Sequence, residues 1–291
     1  MSFKGYSQFG SELVSFNYVL APIGNDDIDF YKTELKLNIP IKLKKGILVN
    51  SVSFNDYQLG YSNVDFNTES LDDFFGINYR LQYIYPLNKK WKLGARVGVS
   101  ITSNLTASLT TEDLLFNGGI MAIKRGGTYE KPSLLTFGLG NTTITGKQKV
   151  LPMISYVKKM NEKFSFGIGF PMAFAKYELN EKNSLKASVW VNGFYANLSN
   201  PVVVNLTDSA YKASFTATSL GLEYNYWMDE IWAVSFKAGY SLYSKYELLD
   251  DVNDTVYKFD LGPKPYFSMG LKLNLKNKFK NKFNNRNRNE K

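Results

Sequence analysis

The chain has 291 residues, no histidine and no cysteine, and 35 basic against 26 acidic side chains. The two absences exclude disulfides, thiolate metal sites, thiol nucleophiles and the side chain that most often performs general acid and base work near neutral pH. We therefore predict a protein that is not an enzyme and that has no cofactor.

The net charge of +9 is unevenly distributed along the chain. Residues 276–291 carry seven Lys or Arg and one Glu, which is a charge of +6 and leaves +3 for residues 1–275. A segment of this composition has little apolar surface to bury, so we predict a disordered tail at 276–291. Its partner would be an anionic polymer, lipid headgroups or a protein; the alternative is a solubilising end without a partner.

No stretch of the sequence is suited to a membrane-spanning helix. The longest run free of strongly polar residues is Phe166 to Ala175, and it is interrupted by glycine and proline. A spanning helix needs about 18 apolar residues or more. The first residues also lack the apolar core of a signal peptide. Either the sequence is a mature form whose signal peptide has been removed, or export follows another route.

Period-two alternation dominates the remainder of the chain. Between Ile77 and Ile101 nearly every odd-numbered residue is apolar, whereas Asn78, Arg80, Gln82 and Arg96 lie between them. Such alternation is typical of half-buried strands. The predicted strands cover 9–21, 30–43, 47–62, 74–86, 91–103, 113–124, 133–144, 148–158, 163–170, 172–179, 184–197, 211–227, 231–246 and 263–275.

The connections between these strands alternate in length. If the chain runs up and down, every short polar turn falls at one end of the sheet and every long loop at the other. The count is fourteen strands, or twelve if the two short ones around Pro171 form a single irregular excursion. Strand 47–62 changes its apolar face near Asn55, which predicts a bulge or register shift there.

Two architectures bury one face of such a long meander. A soluble sandwich or barrel turns its apolar face inward, whereas an outer-membrane barrel turns that face toward lipid. The predicted strands are longer than the five or six residues typical of soluble strands. We therefore predict an all-β fold, a single antiparallel up-and-down transmembrane β-barrel over residues 1–275, in the bacterial outer membrane with its lipid and lipopolysaccharide.

Large aromatic residues cluster at strand ends beside the short turns. Amphipathic rings at this position form the interfacial girdle of membrane barrels. Ordinary aromatic enrichment of β-sheets would not concentrate them at one rim. The predicted girdle comprises Tyr83, Tyr85, Trp91, Tyr224, Tyr226 and Trp232.

Three successive segments carry a family resemblance. They are DLLFNGGIMAIKR (113–125), LLTFGLGNTTITG (134–146) and VLPMISYVKKMNEKFSFGIGFP (150–171), of which Leu151-Pro152, Tyr156 and Lys163 to Pro171 are the most recognisable. The chain resembles uncharacterised outer-membrane β-barrel proteins of Bacteroidetes-type bacteria. The resemblance implies a fold and a location and no activity. The basic tail departs from the usual ending of such barrels on a terminal aromatic residue.

With the apolar face toward lipid, the inward positions hold nine basic and two acidic side chains. One interpretation is an electropositive lumen of a narrow channel or solute-binding barrel that takes small anionic solutes. The other is a packed ion-pair network in a non-conducting structural or assembly barrel that acts through its loops or tail. The predicted lumen-lining residues are Lys32, Glu34, Lys36, Arg80, Arg96, Glu223, Lys237 and Lys272, with Lys42, Lys92 and Lys186 also inward.

The long loops are acidic, but the sequence does not favour a metal site. Neither Asp26-Asp27-Asp29 nor Asp250-Asp251-Asp254 has the spacing of a calcium loop. A solvated acidic rim is the preferred interpretation, and no metal is predicted. Phosphate loops, nucleotide fingerprints and aromatic-basic nucleic-acid surfaces are absent from the sequence, so no nucleic-acid partner is predicted.

Overall fold

The computed structural model describes residues 12–21 and 28–274. The predicted tail at 276–291 lies outside the described residues, as do Asp26 and Asp27. The strands are β1 (Glu12–Ala21), β2 (Ile28–Leu43), β3 (Gly46–Tyr61), β4 (Asp73–Pro86), β5 (Trp91–Ser103), β6 (Leu114–Gly127), β7 (Pro132–Thr142), β8 (Lys149–Lys159), β9 (Phe164–Phe170), β10 (Met172–Glu178), β11 (Asn183–Val203), β12 (Ser209–Trp227), β13 (Trp232–Leu249), β14 (Thr255–Phe259) and β15 (Pro265–Asn274). Two short 3₁₀ turns lie at Glu69–Leu71 and Thr111–Asp113.

Neighbouring strands pair antiparallel around a closed circuit. The order β1 to β13 is sequential, and β15 pairs with both β13 and β1, which closes the barrel with fourteen strands. β9 and β10 are separate strands on either side of Pro171, each paired with both of its neighbours. The prediction of an up-and-down barrel is therefore confirmed, and fourteen strands rather than twelve form its wall.

Strand β14 is an element that the sequence pattern did not predict. It pairs only with the upper part of β13, so it adds a flap at the end of the barrel that carries the long loops. We call this end the long-loop end and the opposite one the short-turn end. β11 and β13 also continue to Val203 and Leu249, beyond the predicted ends at 197 and 246. In the β13 extension Glu247, Leu248 and Leu249 are all buried, so the sequence alternation that marks a half-buried strand is lost there.

Exposure alternates along each strand as a barrel wall requires. On β4 and β5 the odd-numbered apolar side chains point outward, with Ile77 and Val97 exposed by 50% and 62%. The even-numbered Arg80 and Arg96 are only partly exposed and point toward the lumen. The outer surface is consequently a continuous belt of exposed apolar side chains, which water does not favour.

The predicted bulge near Asn55 is wrong. β3 pairs without a register shift with β2 and with β4, from Gly46 and Ile47 onward. Its odd-numbered residues point inward throughout, so Tyr57, Leu59 and Tyr61 enter the lumen and are not turned outward. The alternation in the sequence changes here because the inward side chains of β3 are polar partway along the strand and apolar toward the long-loop end.

The wall is drawn inward at the long-loop end. Asn197 of β11 forms a parallel ladder pair with Ser103 of β5, although five strands separate β5 from β11 along the wall. A register break between Thr218 and Ser219, where β12 faces β13, lies below this contact. Among residues 12–21 and 28–274, no helix is long and apolar enough to cross a membrane.

Candidate functional site: the lumen

All eight predicted lumen residues lie at inward positions of their strands. Lys32, Glu34 and Lys36 follow one another on β2, and Glu223, Lys237 and Lys272 lie on β12, β13 and β15. The ladder register brings the last three together, because Glu223 faces Lys237 across the β12–β13 pair. Arg80 and Arg96 lie on the other side of the barrel, on β4 and β5.

Glu223 is the centre of an ion-pair cluster, which we define as Glu223, Lys237 and Lys272. Its carboxylate lies 2.7 Å from Nζ of Lys272 and 3.3 Å from Nζ of Lys237. Lys272 also donates to Oδ1 of Asn225 at 3.2 Å, and Nζ of Lys237 lies 4.6 Å from the ring centroid of Trp190. On β2, Lys32 donates to Glu34 at 2.7 Å. The bases on this side of the lumen are therefore largely matched by carboxylates.

The opposite side of the lumen carries bases without acids. Strands β5 to β9 contain no Asp or Glu, and we call them the carboxylate-free wall. Arg96 lies on this wall and Arg80 on the adjoining strand β4. Within the described ranges neither guanidinium has an ion pair, and Nε of Arg80 is buried without a hydrogen-bond partner. The structure thus separates the ion-paired lysines Lys32, Lys237 and Lys272 from Arg80 and Arg96, which no carboxylate of the described residues pairs with.

Aromatic side chains close the lumen toward the long-loop end. Phe194 of β11 lies 4.6 Å from Tyr57 of β3, 5.6 Å from Phe74 of β4 and 5.7 Å from Phe215 of β12, between ring centroids. Phe30 of β2 stacks on Phe215 at 5.1 Å. The rings come from strands on opposite sides of the barrel. We define the aromatic plug as Phe30, Tyr57, Phe74, Phe194, Phe215 and Tyr246.

A hydrogen bond fastens one edge of the aromatic plug. The hydroxyl groups of Tyr61 and Tyr246 are 2.9 Å apart, and Tyr61 also donates to the carbonyl of Leu71 at 2.9 Å. Tyr246 is therefore the donor to Tyr61. Sequence reasoning missed the plug, although the inward parity of Tyr57, Leu59 and Tyr61 was a visible signal of it.

The long-loop end contains a cavity of about 590 Å³. Two of its lysines are occupied by backbone acceptors: Lys147 donates to the carbonyl of Asn253 at 2.7 Å, and Lys212 to that of Asp251 at 2.6 Å. Its other lining residues include Glu112, Lys149, Tyr195 and Tyr211. These hydrogen bonds join loops and a strand end around the cavity.

Asp113 ties the loop between β5 and β6 to β11. Its Oδ2 accepts from the backbone N–H of Thr110 at 2.7 Å, and its Oδ1 accepts from Asn197 at 3.0 Å. Burial alone would raise the pKa of Asp113, but these hydrogen bonds outweigh burial and hold its pKa below the usual value. The ionised form of Asp113 therefore stabilises the junction where β11 crosses toward β5.

Asp250 in a long loop and Asp229 in a short turn act as local caps. Oδ1 of Asp250 accepts from the backbone N–H of Val252 at 3.1 Å and of Asp254 at 2.7 Å. At a short turn, Asp229 accepts from the backbone N–H groups of Trp232 and Ile231, which lowers its pKa. Within residues 12–21 and 28–274, no three acidic side chains converge as metal ligands would.

The six predicted girdle residues lie near the short-turn end. Tyr83 and Tyr85 pack with centroids 6.4 Å apart, and the Tyr83 hydroxyl donates to the carbonyl of Lys45. Trp91 meets Phe137 edge to face at 6.0 Å, and Tyr224 donates to Oδ1 of Asn183. Tyr226 and Trp232 flank the turn between β12 and β13.

A family model described as "Domain of unknown function (DUF6268)" matches residues 24–274. No curated protein matches the sequence. A solved FadL homologue of Pseudomonas aeruginosa is 10% identical with a TM-score of 0.41, over 90% of this chain and 88% of that one. LpxR from Salmonella typhimurium is 7% identical with a TM-score of 0.40, over 89% and 99%. A KdgM porin is 9% identical with a TM-score of 0.36, over 89% and 98%. These values are too low for a ligand or an activity to be transferred.

Proposed function

We propose that this chain, which belongs to the DUF6268 family, is a non-enzymatic barrel of the bacterial outer membrane that takes small anionic solutes into its lumen. The closed fourteen-strand wall and the outward belt of apolar side chains support a membrane location. The aromatic rings near the short turns support a girdle at one membrane interface, with Tyr83 and Trp91 among its members.

The observation that carries the proposal is the unpaired charge of Arg80 and Arg96. Inside a lumen with a low-dielectric wall, unmatched positive charges raise the local concentration of anions and exclude cations. Lys32, Lys237 and Lys272 contribute less, since carboxylates lie 2.7–3.3 Å from them. The anion preference therefore originates at Arg80 on β4 and at Arg96 on the carboxylate-free wall.

The aromatic plug determines how a solute would pass. Rings from β2, β3, β4, β11 and β12 meet across the lumen, and Phe74 and Phe194 are at most 3% exposed. A lumen closed by these rings favours a solute-binding barrel, or a channel that opens only when the rings of the plug move apart. It does not support a permanently open pore.

Single-channel recording in planar bilayers tests the proposal. We expect low conductance for the wild-type chain and a measurable conductance when Phe194 is replaced by Ala. In a salt gradient the zero-current potential of the Phe194→Ala protein should have the sign of anion preference. A cation preference, together with no anion binding by the wild-type protein, would contradict the proposed function.

A second candidate is a non-conducting structural or assembly barrel that works through its loops or its tail at 276–291. The observation that favours it is the closed plug itself. Deletion of residues 276–291 distinguishes the two candidates: an envelope defect with unchanged permeability favours the structural role. A permeability change in the Phe194→Ala cell, with no effect of the tail deletion, favours the solute role.

A further inference from the structure

Arg80 and Arg96 are neighbours in the sheet register. Arg80 faces Gly98 across the β4–β5 pair, and Gln82 faces Arg96. Arg96 is therefore the diagonal neighbour of Arg80, and such residues have Cα atoms about 7–8 Å apart. A guanidinium on a three-carbon stem is long enough to span that separation, and both side chains enter the lumen from adjacent strands.

Two glycines make room for the Arg96 side chain along the wall. Gly119 on β6 and Gly140 on β7 are ladder partners, and Arg96 faces Gly119. A Cβ atom added to Gly140 would lie 2.5 Å from a terminal nitrogen of Arg96, and one added to Gly119 would lie 3.2 Å from its Nε. A larger residue at Gly140 would displace the guanidinium from this position.

The protein supplies no acceptor for these donors. Nε of Arg80 is buried without a partner, and within the described ranges no carboxylate pairs with Arg80 or Arg96. A buried charged donor that lacks an acceptor destabilises the folded protein. Across the lumen, Glu34 pairs with Lys32, and Glu223 pairs with Lys237 and Lys272. A bound anionic group would supply the acceptor that Arg80 and Arg96 lack.

We infer that Arg80 and Arg96 form a clamp for one small oxyanion group, a carboxylate or a phosphate or sulfate, held by bidentate hydrogen bonds. The inference rests on the proposed function and names the site and the ligand class behind it. Guanidinium forks match the spacing of paired oxygens, whereas a lysine acts as a point charge. Polar, uncharged neighbours complete the surroundings: Gln82 on β4 and Ser51, which faces Arg80 from β3.

Calorimetric titration of the full-length protein in detergent tests the clamp, with sodium sulfate, sodium phosphate and sodium succinate as separate probes. Arg80→Gln and Arg96→Gln should each weaken binding at least about tenfold, as expected for losing a charge-assisted bidentate contact. Lys237→Gln is the matched control, because it removes the same charge from the lumen but lies outside the clamp. Its effect should be less than about threefold.

The conservative variants Arg80→Lys and Arg96→Lys keep the charge and lose the fork, so they should also weaken binding. The migration of unheated and heated samples in a gel shows whether each variant has folded. The probe whose binding the Arg substitutions weaken most identifies the oxyanion class. If wild-type and both Gln variants bind equally, the clamp is wrong and the proposed function stands. If the wild-type protein binds none of the probes and the Phe194→Ala channel prefers cations, both are wrong.

Discussion

Tyr57 of β3 and Phe194 of β11 pack ring against ring across the lumen, with centroids 4.6 Å apart and planes inclined by 39°. Strands that lie far apart along the wall are thus in direct contact. Phe194 also contacts Phe74, Phe215 and Tyr246, so it is the central ring of the aromatic plug. Its removal should affect both the stability of the barrel and the closure of the lumen.

Phe194→Ala should lower the free energy of unfolding by about 3–5 kcal/mol, the usual result of removing a buried aromatic ring. It should also raise the single-channel conductance, because the cavity it leaves joins the lumen to the long-loop end. Phe116→Ala is the control: Phe116 is 70% exposed and points outward from β6. Equal conductance of the two variants would show that the plug does not obstruct a path.

The chain contains no cysteine, so an engineered disulfide can test whether the plug must separate. Ser103 and Asn197 are parallel ladder partners, and strands so paired are about 4.8 Å apart, within disulfide range. The oxidised Ser103→Cys, Asn197→Cys protein should conduct no more than wild type, and reduction should restore any lost conductance. A measurable conductance that oxidation does not reduce would indicate a path that bypasses this contact. Ser103→Cys alone controls for the substitution.

The period-two pattern predicted most of the wall because each membrane-type strand has one apolar and one polar face. It gave the fourteen-strand count as one of two possibilities, and β9 and β10 decide between them by pairing separately. The pattern failed where both faces are covered, as at the end of β13, where Glu247, Leu248 and Leu249 are all buried. Likewise the change of face at Tyr57 was attributed to a bulge, since one sequence cannot reveal that a lumen becomes apolar partway along its axis.

The lumen charges illustrate a second limit of sequence reasoning. The alternation of residues along each strand places Arg80, Arg96, Lys237 and Lys272 together on the inward face. Which base meets a carboxylate depends on strand order and register, and β4 and β12 are distant from each other along the wall. The sequence therefore left an ion-pair network and an electropositive lumen as alternatives, whereas the fold pairs Lys237 and Lys272 with Glu223 and leaves Arg80 and Arg96 without a carboxylate among the described residues.

Acidification should loosen the junction held by Asp113. Its pKa is lowered in the folded protein, so its ionised form contributes stability that is present above the unfolded-state pKa of about 3.9 and is lost as the pH falls through the folded value. Asp113→Asn should remove this dependence. Hydrogen exchange of residues 104–113 between pH 5 and pH 2 measures it, with the exposed Glu112→Gln as control. An unchanged pH profile in Asp113→Asn would contradict the assignment.

Glu223→Gln should destabilise the barrel more than Glu178→Gln. The Glu223 side chain is 8% exposed and serves two lysines, which would be left unmatched in the lumen. We expect a loss of about 1–3 kcal/mol, below the value for a fully buried pair because the lysines retain contact with water. The Lys176–Glu178 pair is 31% and 40% exposed, so its loss should be within about 1 kcal/mol. Urea unfolding in detergent measures both, and equal losses would contradict the cluster's role.

The girdle makes a prediction about depth in the membrane. Trp91 and Trp232 lie at outward strand ends, whereas Trp190 points into the lumen, where Lys237 and Tyr266 contact its ring. Single-tryptophan proteins that keep one of these residues, with the others replaced by Phe, report on each position. In liposomes, lipids brominated near the headgroup should quench Trp91 and Trp232 strongly, because amphipathic rings at an interface lie at that level. Trp190 should be quenched little, since the wall separates it from lipid. Strong quenching of Trp190, or none of Trp91, would place the apolar belt on the wrong face of the barrel and would refute the inward assignment of Arg80 and Arg96 with it.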